Sequence, residues 1–170
     1  MQTIHVDPTA FAPRTFRSGA EAIAFELNSP RAPLAAMDSS RICGTFIEDC
    51  IVSKQRVVLR LSNGHFLDVT IAGGKVEWQI LQVSTGDSTD VEHGYGPMQL
   101  AWPNGEMSIW DPAALVRSRR QFGLSKLCAG DAFFNVYFQR GGALQFLPLW
   151  NSSEQLPMLY VWELEPIPAL

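Results

Sequence analysis

The chain is poor in cysteine, in lysine and in long apolar runs, and each shortage closes off a class of protein. Its 170 residues hold three cysteines, Cys43, Cys50 and Cys128. So few, odd in number and without a C-x-x-C, they exclude a disulfide miniprotein and favour a reducing compartment. The short ligand spacings that seed a zinc site are also missing, so no metal is assigned. No stretch approaches the roughly 18 apolar residues of a membrane-spanning helix. The opening residues, Met1-Gln2-Thr3-Ile4-His5-Val6-Asp7-Pro8, carry neither a basic stretch nor an apolar core, so they are not read as a signal peptide. The expectation is a soluble, cytoplasmic protein without a membrane partner. Basic residues number 13 against 17 acidic ones, a net charge of −4. That balance argues against nucleic acid, because phosphate affinity needs a basic face. Arg117, Arg119 and Arg120 are read accordingly as a solvated helix face.

What is present is a folding composition. Apolar residues make up 46% and charged residues 18%, the profile of a packed globule and not of a disordered chain. The length suits one domain over 1–170. Arginine outnumbers lysine ten to three, which hints at a GC-rich bacterial genome.

The pattern along the chain predicts an α+β fold. Its centre is a mainly antiparallel sheet of about six to eight strands, with two or three helices packed on it. Residues 1–17, with Pro8 and Pro13, read as an extended arm over the surface. Ser18 and Glu21 stand at capping-box spacing, and Ala20, Ile23, Ala24 and Leu27 form one apolar stripe behind them. From Ile42 the period becomes two. Val57, Leu59 and Leu61 alternate with Arg56 and Arg60; Leu67, Val69 and Ile71 with Asp68 and Thr70; Val76, Trp78 and Ile80 with Glu77 and Gln79. Asn63-Gly64 and Gly73-Gly74 supply the turns, so these strands form an antiparallel meander. Cross-strand ion pairs between the arginines and Asp68 or Glu77 are expected on its polar face.

Residues 84–96 form the longest polar loop. Met98, Leu100 and Trp102 alternate before Pro103-Asn104-Gly105, and Met107 and Ile109 follow it, a second hairpin. Asp111-Pro112 is an N-cap followed by proline at the first helical position, and the helix should run to about Phe122, before Gly123. Phe134, Val136 and Phe138 then share a face, Gly141-Gly142 turns, and Leu144 and Phe146 lead towards a last strand near Met158–Leu164. The order of helix, glycine, long strand, glycine turn, strand and Trp-bearing strand occurs twice. This suggests a duplicated helix-plus-three-strand unit, 29–83 and 111–165.

Catalytic signatures are missing. There is no G-x-S-x-G, no H-E-x-x-H and no phosphate loop. Cys50 and His65 flank one strand pair, but no third group is there to orient them. No catalytic residue and no cofactor is therefore assigned. A loop carries function more often than a strand does. The loop residues Asp87, Asp90, Glu92, His93 and Tyr95 are the binding candidates. Trp102, Trp110 and Trp150, close to turns, are candidate anchors for a protein partner. Trp78, Phe134, Phe138, Phe146 and Trp162 fall at inward positions and read as core.

The small, acidic, motif-poor profile resembles that of bacterial binding proteins, including the immunity proteins that neutralise toxins, a likeness of composition alone. The leading expectation is a non-enzymatic protein-interaction module, an inhibitor or immunity-like binder of a basic partner. The alternative is a small-molecule-binding protein or enzyme with a pocket between sheet and helices, using His93, Tyr95 and His65. A third reading is a homo-oligomer that pairs strand edges.

Overall fold

The computed structural model describes residues 1–7, 40–82, 97–130 and 133–164. Strands dominate it. β1 (Thr3–Asp7) is followed by β2 (Ile47–Val52), β3 (Arg56–Leu61), β4 (Phe66–Ala72) and β5 (Lys75–Leu81). A short hairpin, β6 (Met98–Ala101) and β7 (Met107–Trp110), leads into the helix α1 (Pro112–Arg117). Then come β8 (Leu124–Ala129), β9 (Phe134–Phe138), β10 (Ala143–Asn151) and β11 (Leu156–Leu164).

The eleven strands among the described residues exceed the six to eight expected because each of the two anticipated long strands is a hairpin and β1 is an addition. β2 and β3 turn at Ser53, whose hydroxyl accepts from the Gln55 and Arg56 N–H groups (3.4 and 3.1 Å). A serine side chain replaces the glycine that sequence patterning looks for. Among the described residues the helix from Pro112 is shorter than expected, ending at Arg117 and not near Phe122. Asp111 Oδ1 caps α1 by accepting from the Ala114 N–H (3.1 Å). Beyond Arg117 the chain tightens into i→i+3 turns, with Arg120 N–H bonded to the Arg117 carbonyl and Phe122 N–H to the Arg119 carbonyl (both 3.1 Å). The helix expected from Ser18 lies outside the described residues. Among the described residues no helix is long and apolar enough to cross a membrane.

Two sheets result. β2-β3-β4-β5 form an antiparallel meander. The larger sheet has seven strands in the order β7-β6-β1-β10-β9-β8, with β11 also paired to β10. It is mixed, because β1 runs parallel to β6 through Thr3↔Gln99, Ile4↔Leu100 and His5↔Ala101. The expected surface arm is thus corrected at its start: β1 is an inner strand, with Ile4 and Val6 in the core. Its other neighbour is β10, through Val6↔Asn151.

The sheets face each other across one core that includes Leu59, Leu67, Val69, Phe134, Leu144, Phe146 and Val161. Alternation on each strand puts these on the inner side. Trp78 of β5 stacks on Phe134 of β9 (centroids 5.1 Å apart), and Phe134 lies against Phe146 (6.0 Å). Val116 and Ala113 turn α1 into the same core. The seven-stranded sheet is buried on its other face too, around Cys128, Tyr137, Ala143 and Leu147. Trp162 belongs to that second face, and its indole donates to Gln145 Oε1 (2.6 Å).

The second meander, β8-β9-β10-β11, is laid out like the first. Val57↔Val69, Val58↔Asp68, Leu59↔Leu67 and Arg60↔Phe66 recur as Phe134↔Phe146, Asn135↔Gln145, Val136↔Leu144 and Tyr137↔Ala143, at one separation (134 − 57 = 77). Each has a bulge at the same place, between Ile47 and Asp49 and between Leu124 and Lys126. The turn bonds recur as well. Ser53 N–H to the Arg56 carbonyl (2.8 Å) matches Gly130 N–H to the Phe133 carbonyl (2.9 Å), and Leu61 N–H to His65 matches Phe138 N–H to Gly142 (both 2.9 Å). The last strand of the second unit is shifted further, since Thr70↔Glu77 corresponds to Leu147↔Tyr160 (160 − 77 = 83). The landmarks used on the sequence are therefore out of step. Gln79, and not Trp78, occupies the position of Trp162.

Candidate functional site

Of the expected binding residues, Asp87, Asp90, Glu92, His93 and Tyr95 lie outside the described residues. The three tryptophans are placed, and the side chains of Trp102 and Trp110 are tied into the fold. Trp110 is only 4% exposed. Its indole N–H donates to the Val161 carbonyl (2.7 Å), and its ring lies against Tyr160 (5.4 Å). Trp102 is half-buried, donates to Ser108 Oγ (2.8 Å) and meets Tyr160 edge-on (5.7 Å). Trp150, also half-buried, pairs with Asp7 of β1 and Pro157 of β11. A tryptophan beside a turn looks like a free anchor in sequence, but here Trp102 and Trp110 pin the β6–β7 hairpin to β11.

That hairpin exposes a pair of residues that sequence reasoning did not single out. Three residues, Pro103-Asn104-Gly105, make its loop, and Gly105 takes the positive φ (89°) that closes such a turn. The Trp102 N–H bonds to the Glu106 carbonyl (2.9 Å). Residues 102 and 106 are thus opposite and hydrogen-bonded, and along an antiparallel ladder such pairs alternate. Leu100↔Ser108 and Met98↔Trp110 are the next bonded pairs; Ala101↔Met107 and Gln99↔Ile109 fall between them. The N–H and C=O of Met107 and Ile109 therefore point away from β6.

No further strand pairs with β7 among the described residues. Among the described residues, the side chains of the same two are the most open large apolar ones after Met1, Ile109 at 61% and Met107 at 51%. Ser108 and Trp110 take the inner face instead. One short strand thus offers two open sets of backbone hydrogen-bonding groups, with two apolar side chains beside them.

The neighbouring edges are closed. On β11 the Leu159 N–H donates to the Lys54 carbonyl (2.7 Å) and the Val161 carbonyl accepts from Trp110 (2.7 Å). On β8 the Leu124 backbone exchanges bonds with Gly44 and Thr45 (2.7 and 2.8 Å). β2 is bent by its bulge, and Asp49 Oδ1 accepts from the Cys50 N–H (2.8 Å). β5 carries exposed Lys75 and Glu77 along its length. Bulges, charges and covering segments are the usual guards against unwanted strand pairing. Among the described residues β7 has none of these three, and its open side is apolar.

A second feature lies on the outer face of the first meander. Arg56 grips Asp68 through two bonds, Nε to Oδ1 (2.9 Å) and Nη2 to Oδ2 (2.8 Å), and Gln79 Nε2 adds a third (3.3 Å). This is the cross-strand ion pair expected from the sequence. Beside it Asp68, Thr70, Glu77, Trp78 and Gln79 line an open cavity of about 150 Å³. The cavity lies on the sheet's outer face and not between sheet and helix.

Reactive chemistry finds little footing. Burial pushes the Cys50 thiol up, outweighing the opposing pull of Arg117 and Arg120, so it stays protonated and weakly nucleophilic. Among the described residues, no group of three or more His, Cys, Asp or Glu side chains could hold a metal ion. Comparison with protein-family models, curated proteins and solved structures finds no match to this chain.

Proposed function

We propose that this chain is a non-enzymatic protein-interaction module that docks a partner along the free edge of β7. The observation that carries the reading is the coincidence, at Met107 and Ile109, of open backbone groups and exposed apolar side chains. Strand addition uses both: the main chain gives affinity, and alternate side chains give selectivity. The alternative, a small-molecule site, is less well supported. The cavity of about 150 Å³ beside Asp68 is small against the roughly 300–1,000 Å³ of ordinary ligand pockets.

The expectation of a basic partner rests on net charge and on Asp87, Asp90 and Glu92, and it adds a salt dependence to the test. Tagged protein is incubated in native lysate at low and moderate salt, beside a Met107→Lys/Ile109→Lys variant. One stoichiometric protein, held by the parent chain and lost by the variant, is expected. Equal capture by both removes β7 as the docking element.

We also propose that the two meanders descend from one duplicated unit. The shared register, paired bulges and matching turn bonds support this. Relatives in which the two halves fail to align at the same offset would remove it.

A further inference from the structure

We infer that the strand received by β7 is the β7 of a second copy, giving a two-fold dimer with a continuous sheet across it. This rests on the reading of β7 as the docking element and names as its occupant a second copy, itself of net charge −4, in place of a basic partner. The argument begins with spacing. The outward backbone groups belong to Met107 and Ile109, two residues apart around Ser108. An antiparallel copy related by a two-fold axis at Ser108 sets Met107 against Ile109 of its mate, and Ile109 against Met107. Each of these pairs closes two N–H···O=C bonds, so four form, and no outward group of either residue is left over.

The side chains agree with that register. Met107 and Ile109 stand on one face of the strand, so each copy lays a methionine beside an isoleucine, an apolar cross-strand pair. Charge does not oppose it. Glu106 falls opposite Trp110 and Asp111 opposite Gly105, so no carboxylate faces another across the strand pair, and like charges directly opposite are what forbids such pairing. A two-fold contact of this kind is closed, and it ends at two copies instead of running on into a fibre.

The strand is bounded by the Gly105 turn on one side and by Pro112 at the start of α1 on the other. Such a short contact falls in the small-interface class of transient complexes, under about 1,200 Å². The dimer is therefore set by concentration. Sedimentation from roughly 10 μM to 1 mM should show the mass rising from 18.9 kDa towards twice that value. Amide exchange read in parallel should show Met107 and Ile109 becoming protected as concentration rises, while other edges are unchanged.

Ile109→Pro removes an outward donor at a position where an edge strand tolerates proline, and it should stay monomeric. Met107→Lys leaves every backbone donor in place and should weaken association at least tenfold, so loss of dimer does not hinge on one variant's folding. Circular dichroism confirms the fold of both. A single 18.9 kDa species throughout overturns the second copy as partner. So does a dimer that survives both substitutions, or one in which the two amides stay unprotected. The docking reading itself fails only if lysate capture ignores β7, so the two failures are distinct.

Discussion

Where the first meander turns a charged or polar side chain away from the core, the second turns a ring, an amide or an aliphatic chain. Arg56 stands at the position of Phe133, Arg60 at that of Tyr137, Thr70 at that of Leu147 and Gln79 at that of Trp162. Burial follows the chemistry. Arg60, Glu77 and Gln79 are exposed, whereas Phe133, Asn135, Tyr137 and Leu147 are buried. Yet one side-chain bond persists under the change. Gln79 donates to Asp68 in the first unit (3.3 Å), and Trp162 donates to Gln145 at the same place in the second (2.6 Å). The inner face and the turns set strand register, while the outer face is free to become wet or dry. One half of the molecule can therefore serve as solvated surface and the other as a sheet buried on both sides.

The comparison breaks most sharply at its inner face. Phe134 is fully buried and sits between Trp78 and Phe146, while its equivalent, Val57, is a smaller buried residue. Phe134→Ala should cost about 3–5 kcal/mol and Val57→Ala about 2 kcal/mol, read by urea unfolding. Equal losses would mean that the units do not carry the core differently.

On the outer faces, Asp68→Ala removes the carboxylate that a partly exposed Arg56 grips. After discounting for solvent it should cost about 1–2 kcal/mol, and less in high salt. A salt-independent loss would show that packing, and not charge, holds that face.

The finest distinction is in pH. Burial pushes the Tyr160 phenol up to about 12, against an ordinary value near 10. The unfolded chain ionises first, so the stability Tyr160 lends is complete below about pH 10 and falls as pH rises towards 12. A phenolate titration should show a late-ionising tyrosine that is absent from Tyr160→Phe.

Much of this fold was legible. β3, β4 and β5 follow strict alternation with Asn63-Gly64 and Gly73-Gly74 between them, and α1 begins at Asp111-Pro112 as its capping chemistry dictates. β1 was hidden because five residues ending at Asp7-Pro8 are too few to show a period, and their parallel neighbour β6 is far along the chain. The β2–β3 turn was hidden because Ser53 makes it without glycine. The candidate site was the least legible part. Met107 and Ile109 look like inward residues of a hairpin until the three-residue loop fixes the pairing, and that count turns them outward. The burial of Trp110 depends on β11, whose contact with it no local pattern records.

The place of β1 in the larger sheet has a consequence for how the chain is made. β1 leaves the ribosome before the other described strands, yet its neighbours are β6 and β10. Until the segment containing Asn151 has emerged, the slot for β1 has only one wall. The nascent chain thus carries a strand without a berth until then, and the closing step of assembly joins Val6 to Asn151, 145 positions later (151 − 6 = 145). Contacts of such long sequence separation slow folding. During that interval an unfilled slot on one chain could accept the β1 of another, which makes strand exchange between neighbouring nascent chains the characteristic hazard of this architecture.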